Sequence, residues 1–66
     1  MAQSFRTVFD QNTVVKSTRK GKTLICTLYN KGEKIITQKH PIHEWYDEFV
    51  EECAEETMMT GSQELY

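Results

Sequence analysis

Basic residues are missing from the last 26 positions of this chain. All eight Lys and Arg residues precede Pro41, whereas eight of the ten Asp and Glu residues follow it. Residues 1–40 therefore carry a formal charge of +6 and residues 41–66 a charge of −8, although the whole chain carries only −2. Such asymmetry is typical of a protein whose surface meets a charged partner.

Other absences narrow the range of functions. The three glycines lie far apart in the sequence, so the chain has no glycine-rich phosphate loop. Apolar runs are only a few residues long, which predicts no membrane-spanning segment and no membrane partner. The first ten residues lack the apolar stretch of a signal peptide. No catalytic motif is present, so we expect a protein that is not an enzyme and needs no cofactor.

Cysteine is also scarce, with only Cys26 and Cys53 in the chain. Both are expected to be small buried hydrophobes in a reducing, cytoplasmic environment. Together with His40 and His43 they are the residue types that bind zinc. Their spacing includes no C-x-x-C pair and does not fit structural zinc sites, so no metal site is predicted.

The first 40 residues show the period-two alternation of β-strands. Leu24, Cys26 and Leu28 fall on one face of the clearest predicted strand. Gly21 and Gly32 lie in the predicted hairpin turns, where positive φ angles favour glycine. The pattern predicts an antiparallel meander of four strands at residues 4–9, 13–18, 23–29 and 33–39.

The hydrophobic period changes at Pro41, which suits the first position of a helix. One helical face is predicted to hold Ile42, Trp45, Tyr46, Phe49, Val50, Cys53 and Thr57. Gly61 is a candidate helix terminus, so residues 1–60 would form a single domain and residues 61–66 a flexible tail. The predicted fold is α+β: a four-stranded antiparallel β-meander with one C-terminal α-helix packed on one face. Its predicted core includes Leu24, Leu28, Trp45 and Phe49.

Acidic residues cover the rest of the predicted helix without any basic residue to neutralise them. This stripe is interpreted either as a solvated face or as a docking surface that mimics nucleic acid and binds a basic partner protein. The second interpretation is the leading functional hypothesis, a small interaction protein that modulates or inhibits a basic, nucleic-acid-handling partner. Small viral accessory proteins often show the same arrangement of a β-meander followed by an acidic helix. The predicted partner-binding residues are Glu44, Glu48, Glu51, Glu52 and Glu55.

The basic half of the chain supports an alternative function. One role of lysines on strands is to block edge-to-edge aggregation, without any ligand. Interleaved with aromatic residues, they can instead bind single-stranded nucleic acid through phosphate contacts and base stacking. The predicted nucleic-acid-binding residues are Lys16, Arg19, Lys20, Lys22 and Tyr29. A purely structural subunit of a larger assembly is the third possibility.

One family resembles this arrangement. Lys20-Gly21-Lys22 is followed by Leu24-Ile25, Tyr29, a glycine turn and Trp45 early in a closing helix. Over about residues 13–53 the chain is similar to the single-stranded-DNA-binding transcription coactivators typified by positive cofactor four. The resemblance implies a four-stranded antiparallel sheet with one C-terminal helix, a homodimer, and binding of single-stranded DNA.

Overall fold

The computed structural model describes the backbone of residues 4–65 and the side chains of residues 4–62. It contains one antiparallel sheet whose strands lie in chain order, followed by a single helix. The elements are β1 (Ser4–Val8), β2 (Thr13–Lys20), β3 (Thr23–Asn30), β4 (Glu33–Pro41) and α1 (Asp47–Leu65). The predicted α+β fold is therefore confirmed.

Short turns set the register of the sheet. The β3–β4 turn has positive φ angles at both central residues, 53° at Lys31 and 81° at Gly32, as a type I′ turn requires. In the β2–β3 turn, Gly21 adopts a φ of 61°. Before β2, Asp10 Oδ1 accepts hydrogen bonds from the backbone N–H groups of Asn12 and Thr13, both at 2.8 Å. Asp10 and the two turn glycines thus favour these turns locally, whereas Lys31 is an unusual residue at a positive φ.

A β-bulge interrupts the pairing of β3 with β4. Leu28 pairs with Ile36 and Tyr29 pairs with Lys34, which leaves Ile35 as the extra residue. Ile35 and Ile36 both pack against the core, as two residues on the bulged strand opposing one on its partner can do.

The core lies between α1 and one face of the sheet. It consists of the buried residues Val15, Leu24, Cys26, Leu28, Ile42, Val50, Cys53 and Ala54. Leu24 and Leu28 are fully buried, as predicted. Trp45 and Phe49 are only partly buried and pack at its border. Tyr46, which was expected on the packed helical face, is 60% exposed.

The helix begins and ends later than the sequence pattern indicates. Pro41 pairs with Thr23 at the end of β4, and the Ile42 N–H donates to the Lys22 carbonyl at 3.0 Å. The full length of β3 therefore recruits Pro41 into the edge strand, where its missing N–H is tolerated. The first helical bond runs from the Val50 N–H to the Tyr46 carbonyl. The prediction that the helix starts at Pro41 was wrong.

Gly61 does not terminate α1, which continues to Leu65. The residue is buried, and a β-carbon there would overlap the Leu28 Cδ2 methyl group. Tyr66, the last residue of the predicted tail, lies outside the described residues. Among the residues that the structure describes, no helix is long and apolar enough to cross a membrane.

Candidate functional site

The face of the sheet opposite α1 gathers most of the basic residues. Strand alternation and the observed register place on this open face Arg6, Lys16, Lys20, Lys34 and Lys39. Tyr29 lies on the same face, between its cross-strand neighbours Val14 and Lys34. We call these five cations and Tyr29 the basic sheet face.

No carboxylate neutralises the basic sheet face among the strand residues that the structure describes. The strands contain a single acidic residue, Glu33, which pairs with Asn30 and therefore lies on the side of α1. Arg6 pairs directly with Lys16, and like charges in direct cross-strand positions destabilise a sheet. The arrangement concentrates positive charge at a cost that a bound anion would relieve.

Tyr29 supplies the aromatic surface of this face. Lys16 Nζ lies 5.0 Å from the centre of the Tyr29 ring, which is the geometry of a cation–π contact. The ring is half-buried between its strand neighbours, and the Lys16 ammonium lies over it, where a stacking base would displace it. A nucleic-acid base could stack there while its phosphates meet the lysines.

A pocket of about 490 Å³ opens at one end of the basic sheet face. We call it the end pocket; its charged lining consists of Arg6, Asp10, Lys16 and Lys31, with Tyr29 as the aromatic wall. The β1–β2 and β3–β4 turns bound it and are joined by a hydrogen bond from the Lys31 N–H to the Asn12 carbonyl at 2.8 Å. Hydrogen bonds from the Asn12 N–H and, more weakly, from Thr13 lower the pKa of Asp10, so the pocket lining holds one carboxylate beside its three cations.

The structure brings together only part of the nucleic-acid set predicted from the sequence. Lys16, Lys20 and Tyr29 share the open face, whereas Lys22 lies in the β2–β3 turn. Arg19 pairs with Leu24 on the side of α1 and donates to the carbonyls of Gly21 at 2.9 Å and His43 at 3.1 Å. Sequence reasoning missed Arg6, Lys34 and Lys39, since only the strand register shows which face each one occupies.

The acidic residues of the predicted docking surface lie on the opposite side of the molecule. Glu48, Glu51, Glu52 and Glu55 are exposed along α1, which contains no basic residue. Glu44 lies before the helix, and its carboxylate accepts a hydrogen bond from the Tyr46 hydroxyl. That hydrogen bond is the main cause of the raised pKa of Tyr46, and partial desolvation of the hydroxyl is the smaller cause.

Two hollows flank the start of α1. One, of about 540 Å³, is lined by Tyr46, Asp47, Glu48, Phe49 and Glu52. The other, of about 280 Å³, is mostly apolar and lies against Ile42, His43 and Glu44. The exposed ring of Tyr46 separates an acidic hollow from an apolar one, an arrangement that could accept a basic side chain next to an apolar side chain.

The residue types considered for zinc are separated by their roles in the fold. Cys26 and Cys53 are buried free thiols. His40 Nε2 lies 3.5 Å from the hydroxyl of buried Thr57, and His43 is exposed. Within the described part of the chain, no three His, Cys, Asp or Glu side chains form a group that could hold a metal ion.

Comparison of the chain with protein-family models, with curated proteins and with solved structures finds no match. The resemblance to single-stranded-DNA-binding coactivators therefore stays a prediction.

Proposed function

We propose that the protein binds single-stranded nucleic acid across its basic sheet face. The observation that carries the proposal is the collection of five cations and Tyr29 on one face of the sheet, where the described strand residues place no carboxylate. Lysine and arginine side chains supply sequence-independent phosphate contacts, and an aromatic ring supplies a stacking surface for a base. Both of these elements occur on the same open surface.

The acidic helix favours a single strand over a duplex as the ligand. Helices that read double-stranded DNA enter the major groove and carry basic residues toward the phosphates. α1 has no basic residue and exposes carboxylates, so it cannot enter a major groove in this way. A single strand can instead lie across the open sheet with its bases unstacked.

The low isoelectric point of about 5.6 does not oppose this function, because the two charge signs are separated in space. A helix with its side chains is about 10 Å across, so carboxylates on its outer side lie more than about 10 Å from the sheet. Physiological salt screens charges over about 8 Å. A strand on the basic sheet face therefore meets mainly the local cations. Both cysteines are free thiols, which supports a reducing compartment such as the cytoplasm.

Fluorescence anisotropy with a labelled oligothymidine and its duplex tests the proposal. We expect binding of the single strand whose affinity falls with salt, and a slope reduced by about 0.7 for each phosphate contact removed. Lys34→Ala and Lys39→Ala should weaken binding. Lys22→Ala removes the same charge from the β2–β3 turn and serves as the matched control.

Two results would contradict the proposal. One is the absence of binding to any oligonucleotide at about 50 mM salt. The other is an equal loss of affinity in Lys22→Ala and Lys34→Ala, which would indicate a general charge effect rather than contact with the basic sheet face.

A second candidate function is docking of a basic partner protein on α1. The observation that favours it is the exposed Tyr46 ring between an acidic and an apolar hollow. A basic segment of the partner could place a cation among the carboxylates and an apolar side chain against Phe49.

A pull-down from a lysate tests this candidate, and the partner should be captured with or without nuclease treatment. The triple variant Glu48→Gln, Glu52→Gln and Glu55→Gln should reduce the association rate of the captured partner. If nuclease treatment abolishes the capture, the result supports nucleic-acid binding by the basic sheet face instead.

A further inference from the structure

The end pocket differs from the rest of the basic sheet face in how many cations it holds. Arg6, Lys16 and Lys31 all line it, and Arg6 and Lys16 are direct cross-strand neighbours. Its volume of about 490 Å³ lies in the range of small-ligand sites. With the Asp10 carboxylate on the same lining, the three cations leave a formal excess of two positive charges (3 − 1), which exceeds the single charge of an internal phosphodiester.

Lys31 lines the end pocket with a backbone conformation that is unfavourable for lysine. Its φ of 53° makes it the one non-glycine residue with a positive φ among those the structure describes. Glycine and asparagine are the usual residues at the first central position of a type I′ turn. A lysine there disfavours the turn but adds a positive charge at the rim of the pocket.

The two turns also define where a bound strand would stop. A single strand lying along the basic sheet face meets the β2–β3 turn beyond Lys20 at one end, and the hydrogen-bonded β1–β2 and β3–β4 turns, at Asn12 and Gly32, at the end where the pocket opens. A chain end therefore fits the pocket better than a continuing chain. A terminal phosphomonoester carries a charge of roughly −1.5 to −2 at neutral pH, which matches the excess of two positive charges on the pocket lining.

We infer that the end pocket binds the terminal phosphomonoester of a single-stranded nucleic acid. The inference rests on the proposed function, and it adds recognition of a strand end to sequence-independent binding. Arg6 and Lys31 donate charge-assisted hydrogen bonds to the phosphate, and Lys16 shifts from the Tyr29 ring toward the same group as the terminal base stacks.

Oligonucleotides of one sequence with a 5′-phosphate, a 3′-phosphate or hydroxyl groups at both ends test this inference. We expect one of the phosphorylated forms to bind about tenfold more tightly than the form with hydroxyl ends. The two phosphorylated forms decide which end is recognised. A circular single strand of similar length should bind like the form with hydroxyl ends.

Lys31→Asn provides the decisive variant, since asparagine suits the type I′ turn and the fold is retained. It should abolish the preference for a phosphorylated end, so the affinity for that form should fall by about tenfold more than the affinity for the form with hydroxyl ends. Lys22→Asn in the β2–β3 turn should keep the preference. Equal affinity for all ends would overturn this inference and leave the proposed function intact. A preference that persists in both Lys31→Asn and Arg6→Gln would also overturn it, and binding of no oligonucleotide would overturn both.

Discussion

Gly61 allows α1 to approach the sheet without a side chain in between. A β-carbon at this position would overlap the Leu28 Cδ2 methyl group and lie 3.2 Å and 3.3 Å from side-chain atoms of Ile36. Leu28 is fully buried and cannot move into solvent. The glycine thus serves packing, although glycine inside a helix costs about 1 kcal/mol relative to alanine.

Gly61→Ala should destabilise the protein by about 1 kcal/mol, because overpacking of roughly 1–3 kcal/mol exceeds the gain in helix propensity. Urea denaturation measures the change. In a Leu28→Ala background the same substitution should be neutral or stabilising, since the overlapping methyl group is gone. Thr60→Ala, at an exposed position of the same helical turn, is the control and should not destabilise. A stabilised Gly61→Ala single variant would contradict the close approach.

Cys53 is expected to make stability depend on pH in the alkaline range. Burial first, and then electrostatic interaction with Cys26, Glu56 and Glu52, raise its pKa from 9.0 to about 11. The unfolded thiol releases its proton near pH 9 while the folded thiol retains it. The contribution of the protonated Cys53 thiol to the free energy of unfolding is therefore fully present below pH 9 and is lost as the pH rises to about 11.

Urea denaturation at pH 8 to 11 should show a smaller alkaline loss of stability in Cys53→Ala than in the parent protein. Tyr46, whose pKa is also raised, remains in both proteins and does not contribute to the difference. Parallel pH profiles for parent and variant would show that the Cys53 thiol ionises equally in the folded and unfolded chains.

At the scale of the element, α1 opposes its own stability. Six pairs of acidic residues lie three or four positions apart between Asp47 and Glu56, and no basic residue lies on the helix. Only the first turn gains from its acids, since Asp47 and Glu48 lie near the positive end of the helix dipole. The carboxylates near the middle of the helix gain nothing comparable.

Replacing Glu48, Glu52 and Glu55 by Gln removes five of the six repulsive pairs. The triple variant should be more stable by about 1 kcal/mol at low salt, after the lost dipole interaction of Glu48 is subtracted. The gain should shrink at 1 M salt, where charges are screened over about 3 Å. Thermal and urea unfolding at both salt concentrations measure it, and an unchanged stability would mean that the exposed carboxylates are already fully screened.

The strands and the helix differ in how well the sequence predicts them. The strands were predictable within one or two residues, because alternation and turn glycines are local signals. The helix start was not, since Ile42 and Trp45 fit a helical period while the pairing of Thr23 with Pro41 decides the outcome. Gly61 looks like a terminator until Leu28 is seen across from it. The basic sheet face was only partly predictable, because the face of Lys34 depends on the bulge at Ile35.

At the scale of the whole molecule, the small core and the open sheet edges favour association. β1 and β4 are the edge strands, and Val8 and Met59 are 63% and 67% exposed. A chain of this length buries only about 60% of its unfolded surface, so a second copy would add stability. We expect a homodimer in solution.

Light scattering at about 100 μM protein measures the mass directly, and we expect twice the mass of the chain. Dilution should lower the melting temperature, since the stability of a dimer depends on protein concentration. A monomer mass at this concentration, with a melting temperature independent of dilution, would contradict the dimer.

The bulge at Ile35 also determines which single-residue deletions the chain tolerates. Without Ile35, Ile36 still opposes Leu28 and Lys34 still opposes Tyr29, so every side chain of β4 keeps its face. Without Thr37, residues on one side of the gap exchange faces, which would bring Gln38 or Ile36 to the basic sheet face. In homologous sequences, length variation would then be compatible with this fold at position 35 and incompatible with it two residues later.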